Sequence, residues 1–149
     1  MTALYPQTLR GNYFMVQMGD GAATEVFTNI CGLSTRDFDI AVNTNEVYQA
    51  DCNDPESIPF ALTDITGQIA TIAGQGRYNR TQAAIIRAAV GVSKHYRFII
   101  SQPVGQTVDG GYYAGNFILT GVKFGGKDGE RGTADLTWKS DGPYVWVVV

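Results

Sequence analysis

His95 is the only histidine in this chain of 149 residues, so any catalytic pair or metal site built on imidazole depends on this one side chain. It alternates with Arg97 along a predicted strand, on the face opposite Tyr96 and Phe98. An exposed histidine is the ordinary expectation at such a position. The sequence therefore favours neither a metal centre nor a histidine-based catalytic site.

Asp37 and Asp39 are the next candidates for chemistry, because two carboxylates on one strand face can raise the pKa of one of them for acid–base work. A hydrolase built on this pair would also need a cleft and a basic partner. The sequence indicates neither feature, and a solvated polar face is the simpler interpretation. We predict that the protein is not an enzyme.

Two short motifs resemble ligand-binding loops but lack essential positions. Gly74-Gln-Gly76 begins like a dinucleotide-binding turn, yet Asn79 stands where the third glycine belongs. Asp51-Cys-Asn-Asp54 resembles a calcium loop, yet Pro55-Glu56 occupies the positions of a ligand and of the turn glycine. No cofactor is predicted, and Gly74 and Gly76 are expected to allow a bend or a close approach of backbone.

Aromatic side chains offer an alternative function, because sugars stack on exposed rings. A carbohydrate-binding β-sandwich would use such a platform and would exist as a monomer or small oligomer. At strand spacing, however, most of these rings are expected to lie in the core. The candidates are Tyr112, Tyr113, Phe117 and Trp138.

Composition excludes several other classes of protein. The chain is 44% hydrophobic with 18 glycines, and its formal net charge of -3 argues against a surface that grips nucleic acid through phosphate contacts. No apolar stretch approaches the ~20 residues of a membrane span. The N-terminal ten residues lack the basic start and apolar centre of a signal peptide, so synthesis in the cytoplasm is expected. Cys31 and Cys52 are expected to be unpaired thiols.

Period-two alternation of apolar and polar residues dominates the chain and is typical of strands with one buried face. The clearest case is residues 33–42, where Phe38, Ile40 and Val42 alternate with Asp37 and Asp39. The pattern predicts a mainly β protein, an antiparallel β-sandwich or half-barrel, in a single domain over residues 1–149. The other predicted strands are 12–18, 24–30, 67–78, 94–101, 112–124, 133–140 and 144–149.

One segment has helical periodicity instead. Apolar residues form a stripe over residues 83–90, Asn79 and Gln82 have the spacing of a capping box, and Gly91 stands where a C-terminal cap belongs. These features predict one α-helix at about residues 80–90, packed against the sheet.

Two segments are expected to contact something outside the subunit. Residues 43–64 carry Asn, Asp and two prolines with few paired apolar positions. This composition predicts a long loop, with a hairpin arm at its start as the alternative. The last seven residues form a β-prone apolar run with no charged side chain after Asp141. Such a run invites strand pairing and must be covered in the folded or assembled protein.

The order of several short pieces resembles the major tail tube proteins of long-tailed bacteriophages, with the greatest similarity to those of phage-like gene transfer agents. The resemblance spans nearly the whole chain. The pieces are the Gly19-Asp-Gly21 turn, Thr24-Glu-Val-Phe27, the Ile30-Cys-Gly-Leu-Ser34 corner, the helix from Arg80 to Ala89, Ala134-Asp-Leu-Thr-Trp138 and Gly142-Pro-Tyr144.

The resemblance implies a β-sandwich or half-barrel with one flanking helix, hexameric rings, and stacking of the rings into a hollow tail tube through which DNA leaves the capsid without specific binding. Implied partners are other copies of the chain, a tape measure protein, a tail terminator, and distal tail and baseplate proteins. The implied location is the tail of a virion or of a gene transfer agent particle, assembled in the host cytoplasm.

The same resemblance assigns roles to particular residues. Asp37 and Asp39 are expected to face the lumen, where a like-charged wall keeps DNA mobile. The alternative, of equal weight, is that they face outer solvent or pair with Arg36 or another basic group at a subunit contact. The expected inter-ring loop includes Glu46, Asp51, Asp54 and Glu56. The expected subunit contact includes Tyr144, Val145, Trp146 and Val147.

Overall fold

The computed structural model describes residues 8–101 and 110–149. The N-terminal ten residues, for which the sequence predicts no signal peptide, lie mostly outside these ranges. The described residues form a short 3-10 helix at Gly11–Tyr13, one α-helix and seven strands. No helix within these ranges is both long and apolar enough to cross a bilayer. The elements are β1 (Phe14–Gly19), β2 (Phe27–Asn29), β3 (Leu33–Gln49), β4 (Phe60–Arg77), α1 (Ala83–Ala89), β5 (Ser93–Ile100), β6 (Gly111–Gly125) and β7 (Thr133–Val148).

All seven strands belong to one antiparallel sheet with the order β2-β1-β5-β6-β7-β4-β3. The sheet is strongly curved, because Phe38 of β3 contacts rings on strands that lie three and four positions away in this order. Its ring centroid is 4.4 Å from that of Tyr113 on β6 and 5.3 Å from that of Phe98 on β5. The prediction of a mainly β half-barrel with a flanking helix is confirmed.

The core fills the concave face of this sheet and is closed by α1. Tyr96, Phe117 and Trp138 are its largest fully buried side chains, and Ile86 and Ala89 bring the helix onto them. Burial raises the pKa of the Tyr96 hydroxyl. The inward positions predicted from the alternation of β5 and β7 are confirmed at Tyr96, Phe98, Ala134, Leu136 and Trp138.

The helix is shorter than its periodicity predicts. It begins at Ala83 instead of residue 80, because the Asn79 side chain accepts a hydrogen bond from the Thr81 N–H at 3.1 Å and holds residues 80–82 in a turn. Gln82 also uses its side chain elsewhere: its carbonyl accepts from the Cys31 N–H at 2.9 Å and its amide donates to the Asn29 carbonyl at 2.7 Å. The helix therefore anchors the corner that leads into β3.

Gly74 and Gly76 permit the close approach that the sequence predicts. The Leu33 side chain packs directly over Gly74, and a Cβ atom on Gly76 would overlap the carbonyl of Gly32. Gly32 itself has a φ of 92°, in the left-handed region where glycine is favoured. These contacts lock the start of β3 onto the end of β4.

The prediction of a long loop at residues 43–64 is wrong for most of its length. β3 and β4 pair continuously from Leu33↔Gly76 to Gln49↔Phe60, and only residues 50–59 connect them. Beyond Val42 neither face of this hairpin packs on the core. Because no single face is buried, apolar residues occur on both faces. Without one buried face there is no clean alternation in the sequence to indicate a strand.

We expect Gly76→Ala to lower the free energy of unfolding by about 1–3 kcal/mol or more, because the new methyl group must displace the Gly32 backbone. Gly67→Ala is the matched control, since it lies on the same strand and its Cβ would meet nothing within 4 Å. That control should change stability by less than about 1 kcal/mol. Urea unfolding of both variants measures the difference, and equal midpoints would contradict the packing described.

We also expect amide hydrogen exchange along β4 to change abruptly in the free subunit. Residues 60–66 belong to an uncovered two-stranded hairpin, which is marginally stable, whereas residues 70–74 lie between β3 and β7 beneath the core. Amides of the first group should exchange through local opening, and those of the second should approach the global unfolding limit. Uniform protection along the strand, measured by NMR or mass spectrometry, would refute this division.

Candidate assembly surfaces

The outer half of the β3–β4 hairpin projects beyond the core and is called the arm below, comprising residues 43–66. Val47 and Leu62 are cross-strand partners on one of its faces, and Tyr48 and Ile65 lie on the other. All four are exposed, as are Ile58 and Phe60 near the tip, at 84% and 82%. An apolar surface on both faces of a hairpin is typical of an element that is covered by a partner.

The arm is strongly acidic as well as apolar. It contains five carboxylates and no Lys, Arg or His, which gives a formal charge of -5. Glu46 lies on β3, whereas three of the predicted site residues, Asp51, Asp54 and Glu56, lie in the connecting turn at the tip. The turn is well formed: the Asn53 N–H donates to the Asp51 carboxylate at 2.9 Å, and the Ser57 hydroxyl donates to the Asp54 carbonyl at 2.8 Å.

Asp37 and Asp39 project from the sheet face opposite the core, because Phe38 between them points into the core. Both are exposed, and neither forms an ion pair with a described residue. Arg36 does not neutralise them, since its guanidinium donates to the Leu33 and Gly11 carbonyls at 2.9 and 3.2 Å.

This outer face extends across the neighbouring strands and carries both signs of charge. In the register of the sheet, Asp39 is followed by Thr71 and then by Lys139, and Gln75 is followed by Asp135 and then by Lys123. The face is therefore polar and mixed, with its acidic margin on β3. Asp37 also borders a depression that is lined by Arg36, Phe38 and Ile40, but Asp39 is not part of that lining, so this depression does not hold the two carboxylates together.

The C-terminal run belongs to the subunit's own sheet. The predicted break between strands 133–140 and 144–149 is a bulge within β7: residues 141–143 lie opposite Asn116 alone, and Gly142 has a φ of 97°. Tyr144 and Trp146 pack onto Tyr113, with ring centroids 6.4 and 4.7 Å away. Val145 lies on the other face and is 58% exposed. Of the predicted contact residues, Tyr144 and Trp146 are thus engaged mainly within their own chain.

The backbone of β7 nevertheless retains one open edge. β4 pairs with β7 only at residues 133–139, and then the arm diverges from the sheet. At this fork the Ala70 N–H donates to the Ser140 hydroxyl at 3.0 Å. Beyond Lys139 no described strand pairs with the second edge of β7, so residues 142–148 present free backbone groups, which favour the addition of another strand.

His95 is exposed on its strand, as the sequence predicts. Its Nδ1 atom lies 3.2 Å from the Glu25 carboxylate, a contact that the sequence does not indicate because the residues are far apart along the chain. The neighbouring Arg97 guanidinium stacks on Phe27 and Tyr112, at 3.7 and 4.7 Å from the ring centroids. This arrangement is a surface cluster that stabilises the packing of β2 on the sheet.

The described residues offer no alternative chemistry. Within these ranges no three His, Cys, Asp or Glu side chains come together as a metal site. Cys31 and Cys52 are both exposed free thiols. The rings proposed for sugar stacking are dispersed, since Phe117 and Trp138 are buried, Tyr113 stacks on Phe38, and Arg97 covers Tyr112.

One surface was not predicted from the sequence. A cavity of about 260 Å³ opens between β1, β2 and α1, at the end of the subunit opposite the arm. Its lining includes Met18, Ile30, Ile85, Ile86 and Lys94. The sequence around it is basic: residues 77–94, which include α1, carry four basic side chains and no acidic one, and Lys94 is the one of the four that lines the cavity.

Comparisons with known proteins agree with this architecture. The chain matches the family described as phage tail tube protein over residues 8–146. No curated protein matches it. Among solved structures, it is similar to the tail of an empty gene transfer agent particle refined with C6 symmetry, at a TM-score of 0.70 and 17% identity, covering 95% of this chain and 100% of that one.

Two further structures are similar in fold. A chain of the native gene transfer agent virion gives a TM-score of 0.71 at 16% identity, with 95% of this chain and 100% of that one covered. The SPP1 tail tube gives 0.57 at 11% identity, with 91% and 77% covered. The family is one of structural proteins, not of enzymes, and its match extends over nearly the whole sequence. The chain belongs to the phage tail tube protein family.

Proposed function

We propose that this chain forms hexameric rings that stack into the hollow tail tube of a virion or gene transfer agent particle, and that the tube conducts DNA into the target cell. The observation that carries this proposal is the arm, whose two apolar faces are uncovered in the isolated subunit. Family membership and the neighbours' tail assemblies support it. The other partners would be a tape measure protein, a tail terminator, and distal tail and baseplate proteins.

Contacts within a ring would use the open backbone edges of the sheet. β2 and β3 are the outermost strands, and β7 has a free edge after Lys139. Pairing of these edges between copies would satisfy their hydrogen-bonding groups and remove a route to aggregation. Val145 and Val147 would contact the neighbour, with Tyr144 and Trp146 supporting the strand from inside the subunit.

Contacts between rings would use the arm. Its strands extend about 20 Å from Asn43 to Gln49 at ~3.3 Å per residue, and the tip adds to this reach. Burial of Tyr48, Phe60 and Leu62 against the next ring would supply the hydrophobic stabilisation that the arm lacks by itself. Glu46, Asp51, Asp54 and Glu56 would lie at this stacking contact.

The lumen would be lined by the sheet face opposite the core and α1. Asp37 and Asp39 lie on that face, and repetition around a ring would place a band of carboxylates along the channel. DNA would meet a like-charged wall and pass without specific binding, because basic contacts would hold phosphates through counterion release.

Electron microscopy of the purified protein tests the assembly, with rings and tubes expected at high concentration. Val145→Lys should abolish ring closure, because it places a charge in the proposed contact while leaving the packing of Tyr144 and Trp146 intact. The control Val145→Thr keeps the β-branched shape and should form normal tubes. Deletion of residues 144–149 should also impair folding, since it removes two core-packing rings. Tubes of normal length from Val145→Lys would disprove the contact.

The double change Asp37→Lys and Asp39→Lys tests the lumen. We expect tubes to form and DNA delivery to fall sharply, because a basic channel wall retains phosphates. Asp128→Lys with Glu130→Lys makes the same change of charge in the turn between β6 and β7 and should leave delivery unaltered. Loss of assembly, or unchanged delivery by the first variant, would show that this face does not line the channel.

A further inference from the structure

The arm has exposed apolar residues at its tip, the cavity beside α1 has apolar walls, and the chain segments that carry the two features have opposite charge. We propose, building on the tube function above, that the tip of the arm inserts into the α1 cavity of a second copy in the next ring. Ile58 or Phe60 would fill the cavity, and the acidic residues of the tip would pair with the basic residues of the α1 segment.

The cavity is suited to an apolar side chain. Met18, Ile30, Ile85 and Ile86 supply its walls, and its volume is about 260 Å³. A cavity of about 150 Å³ is large enough for benzene, so this one can accept a phenylalanine or isoleucine side chain. Ile85 is 46% exposed at its rim and would gain cover from such an insertion.

The tip supplies that side chain together with complementary charge. Ile58 and Phe60 are among the most exposed apolar residues described and are adjacent to Asp54 and Glu56. The arm has five acidic and no basic side chains, and residues 77–94 have four basic and no acidic ones. None of these nine side chains forms an ion pair with a described residue of its own chain.

Asp20 is the one carboxylate among the residues that line the cavity and would oppose an acidic partner; the Glu25 carboxylate, beside Gly19 of the lining, contacts His95. Asp20 already accepts hydrogen bonds from the Ala22 and Val26 N–H groups, at 3.0 and 3.3 Å, and the Ala22 contact lowers its pKa. Its charge is thus partly satisfied by backbone dipoles. Lys94 lies in the cavity wall and forms no ion pair with a described residue, so its ammonium group can meet the incoming tip. Arg87, on α1, lies outside the lining and donates to the Tyr78 hydroxyl at 3.4 Å.

The arm cannot reach the cavity of its own subunit. The Gln82 side chain ties α1 to the corner before β3, whereas the tip lies at the far end of that strand. β3 has 17 residues, so these points are about 55 Å apart along the strand at ~3.3 Å per residue. A contact between opposite ends of identical subunits is heterologous and generates an open stack. This geometry fits the addition of one ring to another.

The tip is prepared for docking before contact. Hydrogen bonds within residues 51–57 fix its turn, and the helix that forms one wall is held by Gln82. Preformed surfaces lose less conformational entropy on association. The ring-to-ring contact therefore combines one inserted apolar anchor with a surrounding set of ion pairs.

A charge-swap experiment tests the pairing. Asp54→Lys with Glu56→Lys reverses the charge of the tip and spares the Asp51 carboxylate that holds the turn. Arg87→Glu with Lys94→Glu reverses two basic residues of the α1 segment, of which Lys94 lines the cavity. Each double variant should form rings but shorten tubes at least tenfold in electron micrographs. The quadruple variant, in which both sides are reversed, should restore tubes to wild-type length. Asp128→Lys with Glu130→Lys again serves as the matched control.

The outcomes separate this inference from the proposed function. If the wild-type protein forms neither rings nor tubes, the tube function itself is wrong. If wild-type tubes form and either double variant leaves their length unchanged, or the quadruple variant does not restore them, the docking of tip and cavity is wrong.

The two native cysteines provide an independent measurement. Cys52 lies in the tip, and Cys31 follows Ile30 of the cavity wall; both thiols are exposed. A long flexible bismaleimide should link subunits of intact wild-type tubes into a ladder on a denaturing gel. Cys31→Ser should abolish the ladder while tubes persist. The proposal would be overturned if cross-linker-treated wild-type tubes gave monomers alone on the gel, or if the Cys31→Ser tubes gave an unchanged ladder.

Discussion

The hydrogen-bond ladder between β3 and β4 determines the geometry on which the other features depend. The ladder extends from the corner at Leu33, where glycines permit close packing, to the end of the arm. Two register shifts, near residue 34 and at residues 43–44, leave the strands paired. The inner half of the ladder is fixed between the core and β7, and its outer half has no cover. The direction of the arm is thus set by the core, although the arm contributes nothing to the core. The same ladder orients Asp37 and Asp39, since Phe38 must point inward.

The sequence predicts those elements whose pattern comes from burial on one side. Alternation around Phe38, Tyr96 and Trp138 is visible because one strand face is packed, and the predicted strands follow it. Most of the arm was predicted as a loop and not as paired strands, because apolar residues are exposed on both of its faces. β7 was divided at residues 141–143 because Asp-Gly-Pro is typical of a turn. In the structure, Gly142 adopts a positive φ, and residues 141–143 form a bulge in β7 that keeps the strand paired with β6 on both sides.

The assembly surfaces depend more on tertiary contacts than the strands do, and they are harder to predict from the sequence for that reason. The Tyr144 and Trp146 rings turn inward because residues on β3 and β6, distant in sequence, form the aromatic cluster that receives them. The cavity exists because Gln82 holds α1 against the end of β2, through hydrogen bonds spanning about fifty residues of chain. No local pattern contains that information. The sheet face of Asp37 and Asp39 could be predicted from alternation, because it depends only on the burial of Phe38 between them.

The separation of charge along the subunit gives it a permanent electric dipole parallel to the β3–β4 hairpin. Its negative pole is the arm, with a formal charge of -5, and its positive pole is the segment containing α1, with four basic side chains. Dipoles placed head to tail attract, whereas parallel dipoles placed side by side repel. Added salt screens both interactions over a Debye length of about 8–10 Å. Ionic strength should consequently act in opposite directions on the axial and the lateral association of these subunits.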